Sequence, residues 1–175
     1  DEIEALLRGG VSPRGMAMGP MAEVVYRSTQ FLLDEDRRAI AHFLRSDLPA
    51  ARSTRSEAPM PEPAAMSRGA ALYERHCADC HGGQGEGAHP ASPSLARNPS
   101  VSEPVPANAI KAVLNGGYPP VTARNARPYG MPPFAGVLGT EDLAALASYL
   151  RHAWGNQAGD VSESAVLSLQ RRAVE

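Results

Sequence analysis

The stretch "ERHCADCHGGQGEG", residues 74–87, holds both cysteines of a 175-residue chain. Cys77 and Cys80 stand three residues apart, about one helical turn, and His81 follows directly behind the second. Thiols this close can form a disulfide, bind a metal or carry a covalent cofactor. Two cysteines alone do not fix a redox compartment, so the sequence around them has to discriminate.

That sequence reads as helices joined by long loops. Sixteen prolines and sixteen glycines punctuate the chain, and its 43% hydrophobic content is enough for a core. No strand-like alternation is visible. Met66, Ala70, Tyr73 and Cys77 share one face at helical spacing, with Ser67 as the expected N-cap. This helix delivers Cys77 at its end. "ANAIKAVLNGG" predicts a helix closed by Gly116 and Gly117. "TEDLAALASYLRHAW" is the clearest helix: Thr140 caps it, Glu141 and Asp142 suit the dipole, and Leu143, Leu146, Ala147 and Leu150 form its apolar stripe. Between these two helices "YPPVTARNARPYGMPPFAGVLG" is a long loop stiffened by prolines. The expected class is all-α, with long loops wrapped around something.

Net charge is −2, which gives no electrostatic case for a nucleic-acid partner. No apolar run approaches the roughly 18 residues of a membrane span, so membrane association would come only through other segments or partners. No signal peptide is visible in this stretch, as expected if processing removed one or the chain was cut.

The chain also repeats itself. "IEALLRGGVSP" (3–13) matches "IKAVLNGGYPP" (110–120), and "LDEDRRAIAHFLR" (33–45) echoes "GTEDLAALASYLR" (139–151). A methionine-bearing loop separates the two matches in each copy: "RGMAMGPM" and "PYGMPPF". A repeat of this period is the size of a small domain. Residues 1–48 are therefore expected to be the C-terminal half of a domain like the one that follows, without the half that carries a cysteine pair. Residues 49–64 read as a linker rich in Pro, Ala and Ser. Residues 65–155 form the complete domain, and 156–175 a tail with one short helix near "SESAVLSLQRR".

C-x-x-C-H is the attachment motif of c-type haem. Two thiols one turn apart can make thioethers to the two vinyl groups on one porphyrin edge, and the next residue then turns a ring nitrogen to the iron. Cys77 and Cys80 would form the thioethers and His81 would be the proximal ligand of one haem c. Zinc is an alternative, with His76 or His89 as further ligands, but both lie too near in sequence to close a tetrahedron easily. A dithiol of the thioredoxin kind would want a βαβ unit. The iron's second axial position points to Met131, fifty residues beyond His81 on a proline-held loop. A thioether favours Fe(II) and raises the reduction potential. Met60 and Met66 precede the attachment motif and are poorer candidates.

Taken together, "GAALYERHCADCHGGQGEG", "SPSLARNPSV" and "GMPPFAGVLGTEDLAALASYLRHAWGN" resemble a class I cytochrome c domain. With "AMGPMAEVVYRSTQFLLDEDRRAIAHFLR", the chain is similar to the C-terminal part of the multi-haem cytochrome c subunit of bacterial membrane-associated dehydrogenases. Those enzymes oxidise alcohols, gluconate, sorbitol or related substrates. The resemblance implies that Gly69 and Tyr73 pack on the last helix, near Leu146, Tyr149 and Leu150. It implies that the Pro93 carbonyl accepts a hydrogen bond from the proximal histidine, and that Leu95 and Phe134 line the haem. Arg97 and Arg124 are candidates for the propionates, and Trp154 would shield the haem or anchor the tail. Met21 matches the axial methionine of the earlier domain, ahead of Met16 and Met18, and would serve only with the missing half present. The implied role is a periplasmic electron carrier, peripheral to the inner membrane and not itself an enzyme. Its partners would be a dehydrogenase catalytic subunit or neighbouring cytochrome domain upstream, and quinone or an oxidase downstream. A catalytic haem domain, peroxidase-like or sulfur-oxidising, is the alternative, and a haem-free metal-binding module a third.

Overall fold

Leu143, Leu146, Ala147 and Leu150, the stripe expected on the last strong helix, are all buried. Burial of each leucine side chain stabilises the fold by about 1.5–3 kcal/mol, so this stripe organises the body. A computed structural model of the chain describes residues 2–46 and 60–171. Most of the expected linker lies outside the described residues.

The N-terminal segment runs through α1 (Glu2–Gly9), a two-residue hairpin of β1 (Val11–Ser12) and β2 (Gly15–Met16), α2 (Pro20–Arg27), a 3-10 turn (Thr29–Phe31) and α3 (Asp34–Ser46). The body follows with α4 (Pro63–His76), α5 (Ala78–His81), α6 (Ala107–Asn115), α7 (Thr140–His152), a 3-10 turn (Ala153–Gly155) and α8 (Glu163–Arg171). The all-α class is what the sequence predicts. The hairpin is an addition: Val11 pairs with Met16 and Ser12 with Gly15, strands too short to show any alternation.

Two helix starts differ from expectation. α4 begins at Pro63, inside the stretch read as linker, because proline fits the first helical position, where its missing N–H is not needed. Ser67 therefore lies a turn inside, and its hydroxyl donates back to the Pro63 carbonyl at 2.9 Å. At α7, Gly139 holds the cap position and Thr140 is the first helical residue, with no side-chain cap bond.

α4 crosses α7 at Gly69. A Cβ there would lie 2.4 Å from the Ala145 carbonyl oxygen and 2.6 Å from the Tyr149 Cβ, so only glycine lets the two backbones approach this closely. The other flank of α7 is held by the tail. Ser148 Oγ donates to Asp160 at 2.5 Å and accepts from the Val161 N–H at 3.0 Å. The buried Arg151 guanidinium donates to the carbonyls of Gly159, Val101 and Glu103 at 2.7–2.9 Å. Such acceptors offset part of the cost of burying a cation. Val166 of α8 is fully buried against this assembly.

In the N-terminal segment Asp34 pairs with Arg8 and with the buried Arg37, which also donates to carbonyls of the 3-10 turn. The segment sits on the body. The Thr122 hydroxyl donates to the Gly9 carbonyl at 3.3 Å, and the Ser94 N–H donates to the Pro13 carbonyl at 3.1 Å.

Candidate functional site

α4 ends where the cysteines begin. The Cys77 N–H donates to the Tyr73 carbonyl at 2.8 Å, and the short α5 starts at Ala78. The Cys77 carbonyl then accepts from the His81 N–H at 2.9 Å, so a single turn carries both thiols and the imidazole. Cys77 is buried in the core, whereas Cys80 is exposed. Burial pushes the Cys77 thiol up to about 11, with the neighbouring Cys80 adding to the effect.

His81 Nδ1 lies 3.0 Å from the Pro93 carbonyl oxygen. A carbonyl can only accept, so Nδ1 carries the hydrogen. Burial also lowers the His81 pKa, although the bond to Pro93 opposes this. A neutral ring protonated at Nδ1 keeps its lone pair at Nε2, the state a metal needs. The Pro93 loop is itself fixed by Gly85, whose carbonyl accepts from the N–H groups of Leu95 and Ala96 at 2.7 and 2.9 Å. Asn156 donates to the Leu95 carbonyl at 2.9 Å and ties this loop to the end of α7.

Met131 is partly buried and packs on the same core as Cys77, Leu95 and Phe134. Its loop is stitched to the end of α6. The Met131 N–H donates to the Gly117 carbonyl at 2.8 Å, and the Gly117 N–H donates back to the Met131 carbonyl at 2.9 Å. Farther along, Phe134 and Ala135 donate to the carbonyls of Val113 and Leu114 at 3.0 and 3.2 Å. Gly116 has φ +58, and a Cβ there would meet the Met131 carbonyl oxygen at 2.2 Å. The double glycine, read from sequence only as a helix stop, is therefore the seat of the methionine loop. Gly85, Asn156 and this pairing were not singled out from sequence. A glycine pair opposite a proline-held methionine was the one signal available.

Trp154 covers Gly85, where a Cβ would touch its ring at 2.4 Å, and lies 4.7 Å from the Tyr73 ring and 5.4 Å from that of Tyr149. It thus closes the loop behind His81. The Tyr73 hydroxyl donates to the Gly82 carbonyl. Of the two arginines, Arg97 is exposed beside Gly155 and Arg124 is exposed beside Gly9. Met21 is half exposed on the N-terminal segment, Met60 is more so, and Met66 is partly buried on α4. His76 stacks edge-on to Phe134 at 5.9 Å. His89 lines a surface groove with Arg8 and Arg124. Among the described residues no three His, Cys, Asp or Glu side chains form a group able to hold a metal ion, so the zinc alternative gains no ligand set.

The family model for cytochrome c matches residues 66–154, slightly more than half of the chain. The chain belongs to the cytochrome c family. Several cytochrome c subunits are similar to this cytochrome. The cytochrome c subunit of a quinone alcohol dehydrogenase from Gluconobacter oxydans is 32% identical over 97% of this chain and 37% of its own length. The gluconate 2-dehydrogenase cytochrome c subunit of Pantoea cypripedii is 31% identical over 98% of this chain and 41% of its own. The chain thus spans about two-fifths of the length of these relatives. A solved structure, cytochrome CL of Methylophaga aminisulfidivorans, overlaps 65% of this chain and 63% of its own at 19% identity and a TM-score of 0.35.

Membership implies covalent haem c, and the residues of this cytochrome fit it. Two thiols and a neutral imidazole with a free Nε2 share one turn, and a partly buried thioether packs on the same core. Among the described residues no helix is long and apolar enough to cross a membrane.

Proposed function

We propose that this cytochrome carries electrons through one haem c, bound by Cys77 and Cys80, with His81 and Met131 as axial ligands. The observation that carries the reading is the bond from His81 Nδ1 to the Pro93 carbonyl, which leaves Nε2 for the iron. When bound, the haem iron cycles between Fe(III) and Fe(II). The chain's part is to hold it: Pro93 orients the imidazole and makes it more basic, and the glycine-seated loop presents the Met131 sulfur. Leu95 and Phe134 supply an apolar wall that keeps water away.

Electrons would come from a dehydrogenase catalytic subunit or a neighbouring cytochrome domain and leave toward quinone or an oxidase. The support is similarity to cytochrome subunits of alcohol and gluconate dehydrogenases. A periplasmic setting, peripheral to the inner membrane, goes with that reading. The peroxidase-like or sulfur-oxidising alternative needs a proton-transfer group on the distal side. The loop 128–136 contains no His, Asp or Glu.

The N-terminal segment is read as half of a second such domain. Leu150 in α7 is 5% exposed beneath α4, but its repeat equivalent Leu44 in α3 is 39% exposed, and Phe43 beside it 53%. A face of that kind fits a cover equivalent to residues 63–95, supplied by the same polypeptide or another chain. Met21 would ligate a second haem only with that cover in place.

Intact mass under denaturing conditions tests attachment: one haem on this chain is expected, and an unmodified chain from a host able to attach haem would overturn the reading. Met131→Ala should abolish the weak near-infrared band of Met-ligated ferric haem and lower the potential. A band that persists would remove Met131 as the ligand.

A further inference from the structure

Residues 118–130 leave the core at Gly117 and return at Met131, and the Gly117–Met131 pair of backbone bonds closes that excursion. Its two ends are open to water, with Tyr118 72% and Tyr129 70% exposed. Backbone bonds at such an edge open more readily than those in a core. The N-terminal segment covers the excursion at three points. Thr122 donates to the Gly9 carbonyl at 3.3 Å. Pro120 packs on Gly10, where a Cβ would lie 2.3 Å from the ring. Met18 packs on Gly117 itself: a Cβ there would sit 2.8 Å from the Met18 terminal methyl and 3.8 Å from its Cβ. Met18 is partly buried, unlike the half-exposed Met21 in the first turn of α2.

We propose that Met18 is a positioning residue for Met131: packed on Gly117, it holds closed the backbone pair that presents the Met131 sulfur. The N-terminal segment thereby sets how firmly the complete domain holds its distal ligand. This rests on the reading of Met131 as an axial ligand. The energetic logic is a linked equilibrium. The Met131 sulfur would leave the iron when the Gly117–Met131 pair opens, and Met18 would favour the closed state by packing its terminal methyl on Gly117.

Imidazole, a small ligand that binds ferric iron only when the sulfur lets go, reads that equilibrium in the haem-loaded chain. Met18→Ala should bind imidazole about five-fold more tightly, equivalent to about 1 kcal/mol. Met18→Leu should stay within about two-fold of the parent, and so should Met60→Ala, a loss of exposed methionine. A merely structural role for Met18 would lower the unfolding midpoint and leave imidazole affinity unchanged. That result, with the near-infrared band present, overturns the proposal. Met131→Ala separates the two readings: a band that survives it removes the ligand assignment and the positioning role together. If Met18→Ala does not fold, Met18→Val, which lacks the terminal methyl that meets Gly117 most closely, should show the same tightening, and its failure to do so refutes the role.

Discussion

Replacing Gly69 by alanine sets two physical effects against each other. In a helix interior alanine is more stable than glycine by about 1 kcal/mol. The added methyl, however, would enter 2.4 Å from the Ala145 carbonyl oxygen, 2.6 Å from the Tyr149 Cβ and 3.0 Å from the Ala145 carbonyl carbon. Two of these are backbone atoms, which no rotamer change can move aside. Ordinary carbon contacts lie at about 3.5–4.0 Å, so α4 and α7 would have to part by roughly 1 Å along their crossing. Overpacking of a close-packed interface costs about 1–3 kcal/mol, and obstruction by backbone places this case at the upper end. The net expectation is a loss of about 2 kcal/mol, or a fall in Tm of about 8–16 °C for a domain this size. Thermal unfolding of the haem-loaded chain, followed by far-ultraviolet circular dichroism, reads it directly. Gly83→Ala is the control, since a methyl there meets open space. Propensity alone predicts a rise, so a Gly69→Ala midpoint at or above the parent would refute the crossing argument.

Two further outcomes follow from other sites. Gly116→Ala combines a residue at φ +58 and ψ −152, where a side chain costs about 1–3 kcal/mol, with a methyl 2.2 Å from the Met131 carbonyl oxygen. The near-infrared band should vanish on warming well before the chain unfolds; a band that lasts to the unfolding midpoint counts against the glycine seat. The Arg37 guanidinium, with Arg8 beside it, holds the Asp34 carboxyl below its ordinary 3.8. A depressed carboxylate stabilises the fold above its unfolded pKa, and that stability is lost as pH falls through the folded value. Asp34→Asn should therefore be less stable than the parent near neutrality, with the difference closing below about pH 4. Melting curves over a pH series check this, and a gap constant down to pH 2 would rule it out.

The attachment motif and α7 were legible because their signals are local. C-x-x-C-H is five consecutive residues, and the α7 stripe recurs every three or four. The start of α4 was obscured because "PEPAA" has the composition of a linker and of a helix N-terminus alike. Ser67 then offered a false cap within the helix. The seat of Met131 was hidden for another reason: Gly117 and Met131 are fourteen residues apart, across a stretch with no period, and only tertiary pairing joins them. Trp154 was undecided because its ring direction depends on a backbone turn, φ +54, that its residue type disfavours. The placement of that ring over Gly85 is a fact of packing, not of pattern.

The burial of Cys77 bears on the order in which this molecule is made. The residue is 9% exposed, in one core with Tyr73, Leu146 and their neighbours, and burial makes its thiol reluctant to ionise. Cys80 faces outward. A porphyrin edge approaching the folded chain would reach one sulfur and be shut out from the other. If Cys77 and Cys80 carry the haem as proposed, the burial of Cys77 favours bond formation before the core around it closes. On that reading folding would follow chemistry, and the same packing that excludes a late arrival would enclose what was joined early.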